Sequence, residues 1–270
     1  MSVVIPAWGA YAGAPLQEAL ASVRDQDRPA RIIVVDNASD EPLGPVEDAE
    51  LVQAPERLTV GGARNLGLEH VSTPYVLFWD ADDVMLPGTL GFLRDQIGTD
   101  PELVAVAAGV LEGEPVRRHR WPPRWSARLA ARPRLFAAAH TVWSLFPSTG
   151  ATIMRAEAVR GAGGYATQID AAGDWVLGVS LAFRGRVELH ERPGRLYRRL
   201  GESLWQDNRA PARQLAHAAA VRERLRHDPA IPGWARASAV ALKVLHPAVL
   251  LVVAPLARRV RSLSARLRRT

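Results

Sequence analysis

The 270-residue chain contains no cysteine, which excludes disulfides and thiolate metal sites and leaves the redox compartment unreported. Lysine is nearly absent too: Lys243 is the only one, so the formal net charge of +6 rests on arginine. For most of these arginines the skew reads as base composition. For a few it reads as phosphate recognition, because the guanidinium fork binds phosphate bidentately. No secretory leader is expected, since Met1-Ser-Val-Val-Ile-Pro6 runs straight into a strand pattern without a basic region or a long apolar one. The expected setting is therefore cytoplasmic. The glycines of Gly61-Gly-Ala-Arg-Asn65 have the spacing of neither a dinucleotide fingerprint nor a P-loop, and no internal repeat or low-complexity tract is found. The chain is 48% hydrophobic, long enough for one large domain or two intimate halves around a substantial core.

The most informative segment is Tyr75-Val-Leu-Phe-Trp-Asp80-Ala-Asp82-Asp83, an apolar strand that ends in three carboxylates within four positions. Clustered carboxylates repel and need a partner. One Asp would suffice to cap the next helix. The economical partner for three is a hard cation, Mg²⁺ or Mn²⁺, itself holding the phosphate oxygens of a nucleoside diphosphate. Asp82 is the first candidate metal ligand, with Asp80 supporting it or the ribose and Asp83 at the start of the following helix.

Around this segment apolar strands alternate with helical spacing. Val3–Ile5 reads as a strand stopped by Pro6, Leu16–Val23 as a helix, Arg31–Val35 as a buried strand, and Leu51-Val52 as a short one. Gly61-Gly-Ala-Arg-Asn-Leu-Gly67 opens a helix closing near His70. This order predicts an α/β fold with a mostly parallel sheet flanked by helices, in which ligands sit beyond the carboxyl ends of the strands. Asp36 and Asp80 both fall at that edge. Further on, the spacing predicts a helix over 86–97, a strand over 103–110, an irregular linker over 114–134, and a strand-like segment over 150–155. Next come a helix over 156–160, a glycine turn over 161–164, a helix over 175–183, and two short strands over 186–190 and 195–198. Helices over 209–226 and 232–269 complete a C-terminal extension.

Three further constellations matter. Asp36-Asn-Ala-Ser-Asp40 reads as a polar turn or as a carboxylate that accepts hydrogen bonds from a base or ribose. Gly61-Gly-Ala-Arg64-Asn65 lets backbone approach a ligand before a helix, so that Arg64 and Asn65 face a diphosphate or brace the turn. Asp170-Ala-Ala-Gly-Asp174-Trp175 reads as a helix cap or, one half-domain after the carboxylate cluster, as the seat of a general base.

Val4-Ile-Pro6, Val34-Val-Asp36-Asn-Ala-Ser-Asp40, Gly61–Gly67, Trp79-Asp-Ala-Asp-Asp83, Gly163-Gly-Tyr165 and Gly173-Asp-Trp175 occur in an order that resembles family 2 glycosyltransferases of the GT-A, Rossmann-like fold. The resemblance covers residues 2 to 205. It implies inverting transfer of a sugar from a nucleotide-sugar donor, UDP by default, to an acceptor hydroxyl. It implies that Pro6 and Ala7 line the nucleotide pocket and that Asp36 reads the base. Arg64 and Asn65 then lie near the donor, Asp80 and Asp82 form the DxD metal motif for Mg²⁺ or Mn²⁺, and Asp174 is the base. The sequence departs from the family at Gly173, where a Glu is usual, and after Tyr197-Arg198, where many members carry a His. The expected division is a nucleotide-sugar-binding half (1–110), an acceptor-binding half of the same domain (111–205), and a basic helical extension (206–270).

Two stretches bear on partners. Ala237–Ala257 is mostly apolar but holds Lys243, His246, Pro247 and Pro255, and the Arg-rich end comes directly after it. This fits a basic amphipathic helix at an anionic membrane on the inner face, or a helix docked on the core with a solvated basic side. The Arg/Trp run Arg117, Arg118, Arg120, Trp121, Arg124, Trp125 reads as an acceptor-side loop or a surface loop. Nucleic acid is not an expected partner, because the positive charge matches no binding module. The acceptor, saccharide, lipid-linked or small molecule, is not legible. Two rival functions stand beside the enzyme. A nucleotidyltransferase needs an Arg in the loop after the first strand, and Pro6-Ala-Trp-Gly-Ala10 has none. A non-catalytic sugar-nucleotide- or membrane-binding protein is favoured only by Gly173.

Overall fold

Among the described residues eight strands form one sheet: β1 (Ser2–Ala7), β2 (Arg31–Asp36), β3 (Ala49–Gln53), β4 (Tyr75–Phe78), β5 (Val84–Met85), β6 (Leu103–Glu112), β7 (Thr152–Arg155) and β8 (Arg186–Tyr197). The computed structural model describes residues 1–11, 13–113, 122, 124–146, 149–169, 173–198 and 210–253. The strand order is β3-β2-β1-β4-β7-β6-β8-β5. The first four neighbours run parallel, so Ala7, Asp36 and the residues after Phe78 all emerge at one edge. β7 is antiparallel to β4 and β6, β8 is parallel to β6, and β5 is antiparallel to β8.

Nine α-helices accompany the sheet among the described residues: α1 (Ala14–Arg24), α2 (Val60–Glu69), α3 (Thr89–Gly98), α4 (Arg124–Ala130), α5 (Pro133–Val142), α6 (Ala156–Gly161), α7 (Gly173–Ala182), α8 (Pro211–His227) and α9 (Gly233–Pro247). Strand alternation sorts the core into two layers. Val3, Ile5, Ile32, Val34 and Leu77 pack with Leu16 and Leu20 of α1 and Leu90 and Leu93 of α3. Val4, Ile33, Val35, Val76 and Phe78 pack on the other side with Ala63 of α2, Phe136 of α5 and Leu177 of α7. A third cluster joins Trp175 and Val179 of α7 to Val221 and Leu225 of α8 and Leu242 of α9.

Several expectations are corrected. Pro6 does not stop β1. It pairs in register with Val35, and it is accommodated because pairing with β4 has already ended at Val4. The stretch 124–134, expected to be irregular, is helical: α4 has no Gly or Pro inside, and Pro133 opens α5 at its first turn, where a missing N–H costs nothing. The remainder of that linker, including Arg117, Arg118, Arg120 and Trp121, lies outside the described residues. The two short strands over 186–198 are one, with Pro193 absorbed where the register with β6 shifts around Gly109. The short β5 has no counterpart among the expected strands. Of the helix expected over 232–269, the described part is α9 to Pro247, followed by a π-helical turn over Ala248–Val253. Residues 254–270 lie outside the described residues.

Candidate active site

The turn after β4 is closed by the Asp83 N–H, which donates to the Asp80 carbonyl at 3.2 Å. Trp79 Nε1 donates to the Asp83 carbonyl at 3.2 Å, so the indole beneath the turn fixes it. The three carboxylates then meet different partners. Asp80 is clamped from two sides: Arg64 Nη2 donates to Oδ1 at 2.6 Å and Arg195 Nη2 to Oδ2 at 2.6 Å. Arg195 also forms an ion pair with the fully buried Asp83. Asp83 Oδ1 accepts the Arg198 backbone N–H at 3.2 Å, and Arg198 Nε donates to the Asp82 carbonyl at 2.6 Å. Arg198 reaches on to Glu18 of α1.

These contacts assign different charges to neighbouring carboxyls. Burial pushes Asp80 up, but Arg195 and Arg64 outweigh it and hold the group below the usual carboxylate range. Asp82 lacks such a clamp: burial and then the Asp80 charge push it up to about 6. Burial drives Asp83 up to about 7 against the pull of Arg195. Burial also works against the charge on Arg64 and Arg195, and the surrounding aspartates override it, so both guanidinium groups are held above their ordinary values.

Asp174 sits in the first turn of α7, where the helix N-terminus favours a carboxylate. Arg64 Nη1 donates to its Oδ1 at 3.1 Å. One guanidinium therefore joins the aspartate after β4 to the aspartate that opens α7. The Arg64 guanidinium lies over the Tyr165 ring at 5.0 Å, which fixes its plane. The same ring accounts for Gly173: a Cβ there would come within 3.0 Å of Tyr165 Cδ1. The Glu usual in the family would thus have to displace the platform under Arg64.

The other expected residues take up more structural positions. Asn65 Nδ2 donates to the Tyr165 carbonyl at 3.0 Å and its Oδ1 accepts the Tyr165 N–H at 2.8 Å, so both ends of the amide brace the glycine turn. Gly164 makes this possible with φ +64, and a Cβ there would meet Asn65 Oδ1 at 2.4 Å. Asp36 is buried and organises its own loop, accepting the Ser39 N–H at 3.1 Å and the Leu43 N–H at 2.9 Å. Pro6 and Ala7 are buried within β1. Just beyond them, at the sheet edge, stands an aromatic pair: Trp8 and Tyr11 meet edge to face at 4.9 Å, with the Arg57 guanidinium 4.6 Å over the Trp8 ring. Residues 199–209 lie outside the described residues, as does Asp170.

Sequence reasoning misses Arg195 and Arg198. Arg195 sits near the end of β8 and Arg198 directly after it, and nothing in their spacing marks them. Only the antiparallel pairing of β8 with β5, Met85 opposite Arg195, brings them under the carboxylates. Gly150 reads in the sequence as part of a strand, yet it clears the path of Arg195, since a Cβ there would lie 2.0 Å from Nη1.

Across these contacts four carboxylates (Glu18, Asp80, Asp83, Asp174) pair with three guanidinium groups (Arg64, Arg195, Arg198), and the Asp82 carboxyl stands beside them without an ion pair among the described residues, its carbonyl alone bonded by Arg198. No group of three His, Asp or Glu side chains surrounds a common ion position among the described residues. The donor set, one hard carboxylate at Asp82 in an anion-rich turn, therefore fits Mg²⁺ or Mn²⁺ only with diphosphate and water oxygens completing the shell. The open cleft lined by Met1, Arg28, Arg94 and Thr99 lies at the amino ends of the strands, away from all of this chemistry.

A sheet with nucleotide-binding topology, ending in a clamped carboxylate cluster faced by a helix-borne Asp, defines a GT-A-type α/β protein. The sequence profile described as Glycosyl transferase family 2 matches residues 2–160, and the chain belongs to that family. No curated protein sequence matches the chain. Among solved structures it is similar to S. aureus TarS 1-349, with TM-score 0.65 and 14% identity over 92% of this chain and 71% of that one. It is also similar to the same protein in complex with UDP (TM-score 0.58, 17% identity, 83% and 70% covered). The match to its complex with UDP-GlcNAc has TM-score 0.60 and 14% identity, with 94% and 91% covered. At these identities the likeness carries the fold.

Proposed function

We propose that the protein transfers a sugar from a nucleoside diphosphate donor, UDP-linked above others, to an acceptor hydroxyl with inversion, Asp174 serving as general base. One observation carries this reading: Arg64 holds Asp174 and Asp80 through the two arms of a single guanidinium. The carboxylate on the donor side and the one on the acceptor side are thereby set in one rigid frame, which is what an in-line displacement requires.

In the step itself the acceptor oxygen forms a bond to the anomeric carbon. The carbon–oxygen bond to the diphosphate breaks, and the hydroxyl proton passes to the Asp174 carboxylate. Attack from the face opposite the diphosphate inverts the configuration. Asp82 would hold Mg²⁺ or Mn²⁺, which as a Lewis acid offsets charge on the departing diphosphate. Arg195 and Arg64 keep Asp80 ionised and fixed while the nucleotide binds at the edge beside Trp8 and Tyr11. Family membership supports the transferase reading, and the UDP-bound relatives support UDP as the base.

The test is a thermal-shift panel of UDP, GDP, dTDP and CDP, each with Mn²⁺ and with EDTA. A ligand that binds only the native state raises its melting temperature by mass action. The expected result is a UDP shift that shrinks with EDTA, together with UDP release from a UDP-sugar. A shift confined to another nucleotide overturns the UDP assignment. A nucleotide shift equal in EDTA overturns the metal. Binding without donor turnover moves the protein to the non-catalytic reading.

A further inference from the structure

Helix α9 is apolar on two sides, and the fold uses only one. Ala235, Ala239, Leu242 and His246 are buried, with Leu250 continuing the stripe against α8 and α5. His246 Nε2 meets the Thr141 carbonyl at 2.8 Å, which ties the helix to α5. On the outer side Trp234, Val240, Val244, Leu251 and Val252 are exposed by 58%, 68%, 78%, 38% and 62%. Val240 and Val244 are one turn apart, and the exposed Ala237 and Ala241 lie beside them. The window 233–252 has a mean hydropathy of 1.5, yet only 28% of it is buried. An apolar surface of this extent marks a contact.

Length and composition alone would let this segment cross a bilayer. Its packing argues otherwise: one face is committed to the domain along the helix, and Lys243 is exposed halfway along it. A helix so held can lay only its outer face on another surface.

Charge identifies that surface. From residue 229 to the end there is no Asp or Glu, and Arg236, Lys243, Arg258, Arg259, Arg261, Arg266, Arg268 and Arg269 are eight cations. Removing these eight from the formal +6 of the chain leaves −2 for residues 1–228. In sequence, the positive charge of the protein is thus concentrated in α9 and the residues that follow it. We infer that α9 docks the enzyme on an anionic phospholipid surface, its valine face entering the acyl boundary and the net positive charge of residues 229–270 supplying the attraction. A second copy of the chain would satisfy the valine face but would bring two segments of eight cations each together, so lipid is the favoured cover.

The experiment is co-sedimentation of the full chain with vesicles of phosphatidylcholine, and of phosphatidylcholine with roughly one third phosphatidylglycerol. Binding is expected to the anionic vesicles only and to fall with added salt. Val240→Asp with Val244→Asp should lower the bound fraction about tenfold or more. Both side chains face solvent, so far-UV circular dichroism and the melting temperature should be unchanged. Arg266→Glu, Arg268→Glu and Arg269→Glu together should remove the preference for anionic lipid while leaving the valine face intact. Failure of the wild-type chain to bind anionic vesicles at low salt overturns the inference. So does undiminished binding by the double valine variant. Self-association abolished by that variant, without vesicle binding, assigns the face to a second copy and overturns it as well.

Discussion

Arg64 Nη1 lies 3.1 Å from Asp174 Oδ1, linking residues 110 positions apart, while its second arm holds Asp80 Oδ1 at 2.6 Å. The side chain is only 8% exposed, so this cation is not screened like a surface charge. A planar fork held over Tyr165 sets both the distance and the relative orientation of the two carboxylates. A point charge on a flexible stem does not.

Arg64→Lys should therefore keep a positive charge and lose the geometry. Turnover is expected to fall about 10²-fold or more, the scale of a misplacement of about 1 Å at a reacting centre. Arg64→Ala should go further and lower stability by about 1–3 kcal/mol, because Asp174 and Asp80 each lose a charged hydrogen-bond donor and Asp80 is left with Arg195. Steady-state donor turnover and thermal melts of the two variants decide this. A lysine variant with wild-type turnover would show that charge alone suffices.

Asp174→Asn preserves shape and removes the proton acceptor. Transfer should be abolished, while the UDP-induced thermal shift persists, because the edge at Trp8 and Tyr11 proposed for the nucleotide adjoins β1 rather than α7. Loss of UDP binding in this variant would assign Asp174 a structural role through Arg64.

For Asp82 activity and stability should move in opposite directions. Its folded pKa, pushed up to about 6 by burial and by Asp80, lies above the ordinary 3.8. The fold therefore gains from its protonated form at low pH and loses that gain as pH rises through about 6. At pH 8 Asp82→Asn removes a disfavoured charge, so the melting temperature should stay level or rise. Turnover in Mn²⁺ should fall about 10²-fold or more, the scale for losing a main electrostatic stabiliser. A variant with near-normal turnover in Mn²⁺ would remove Asp82 from the metal site.

Much of this protein is legible in its sequence because its informative features are local. Uninterrupted β-branched runs mark β1 and β2, the apolar run before Asp80 marks β4, and three aspartates in four positions mark the site. The illegible part depends on pairing between distant strands. Arg195 faces Asp80 only because β8 returns beside β6 and meets β5, and neither contact leaves a trace in local spacing. Asn65 and Asp36 show the converse. Their positions stand out in the sequence, but a residue type fit for a ligand is equally fit to satisfy backbone, and here both bond to main chain. The linker misleads for a simpler reason: Pro133 punctuates the sequence without breaking a helix when it occupies the first turn.

His140 provides a pH test away from the site. It is fully buried, stacked on Phe136 at 5.6 Å, and its Nδ1 accepts the Leu145 N–H at 2.8 Å. The ring is therefore the tautomer with its proton on Nε2, an atom without a hydrogen-bond partner among the described residues. Burial drives its pKa down from 6.5 to about 3. The unfolded chain then binds a proton that the folded one refuses, so this residue's contribution is intact above 6.5 and is lost as pH falls toward 3. The slope is about 1.4 kcal/mol per pH unit. Asp82 and Asp83, raised to about 6 and about 7, act in the opposite sense, so the wild-type profile alone mixes the two. His140→Asn isolates the histidine, because the Asn Oδ1 takes the place of Nδ1 as acceptor and does not titrate. It should be less stable at pH 7 by about 1–3 kcal/mol through lost ring packing. Its deficit should then shrink as pH is lowered from about 6.5 to about 4.5, read by urea unfolding at each pH. A deficit constant across that range would mean that the ring at position 140 is not held neutral by the fold.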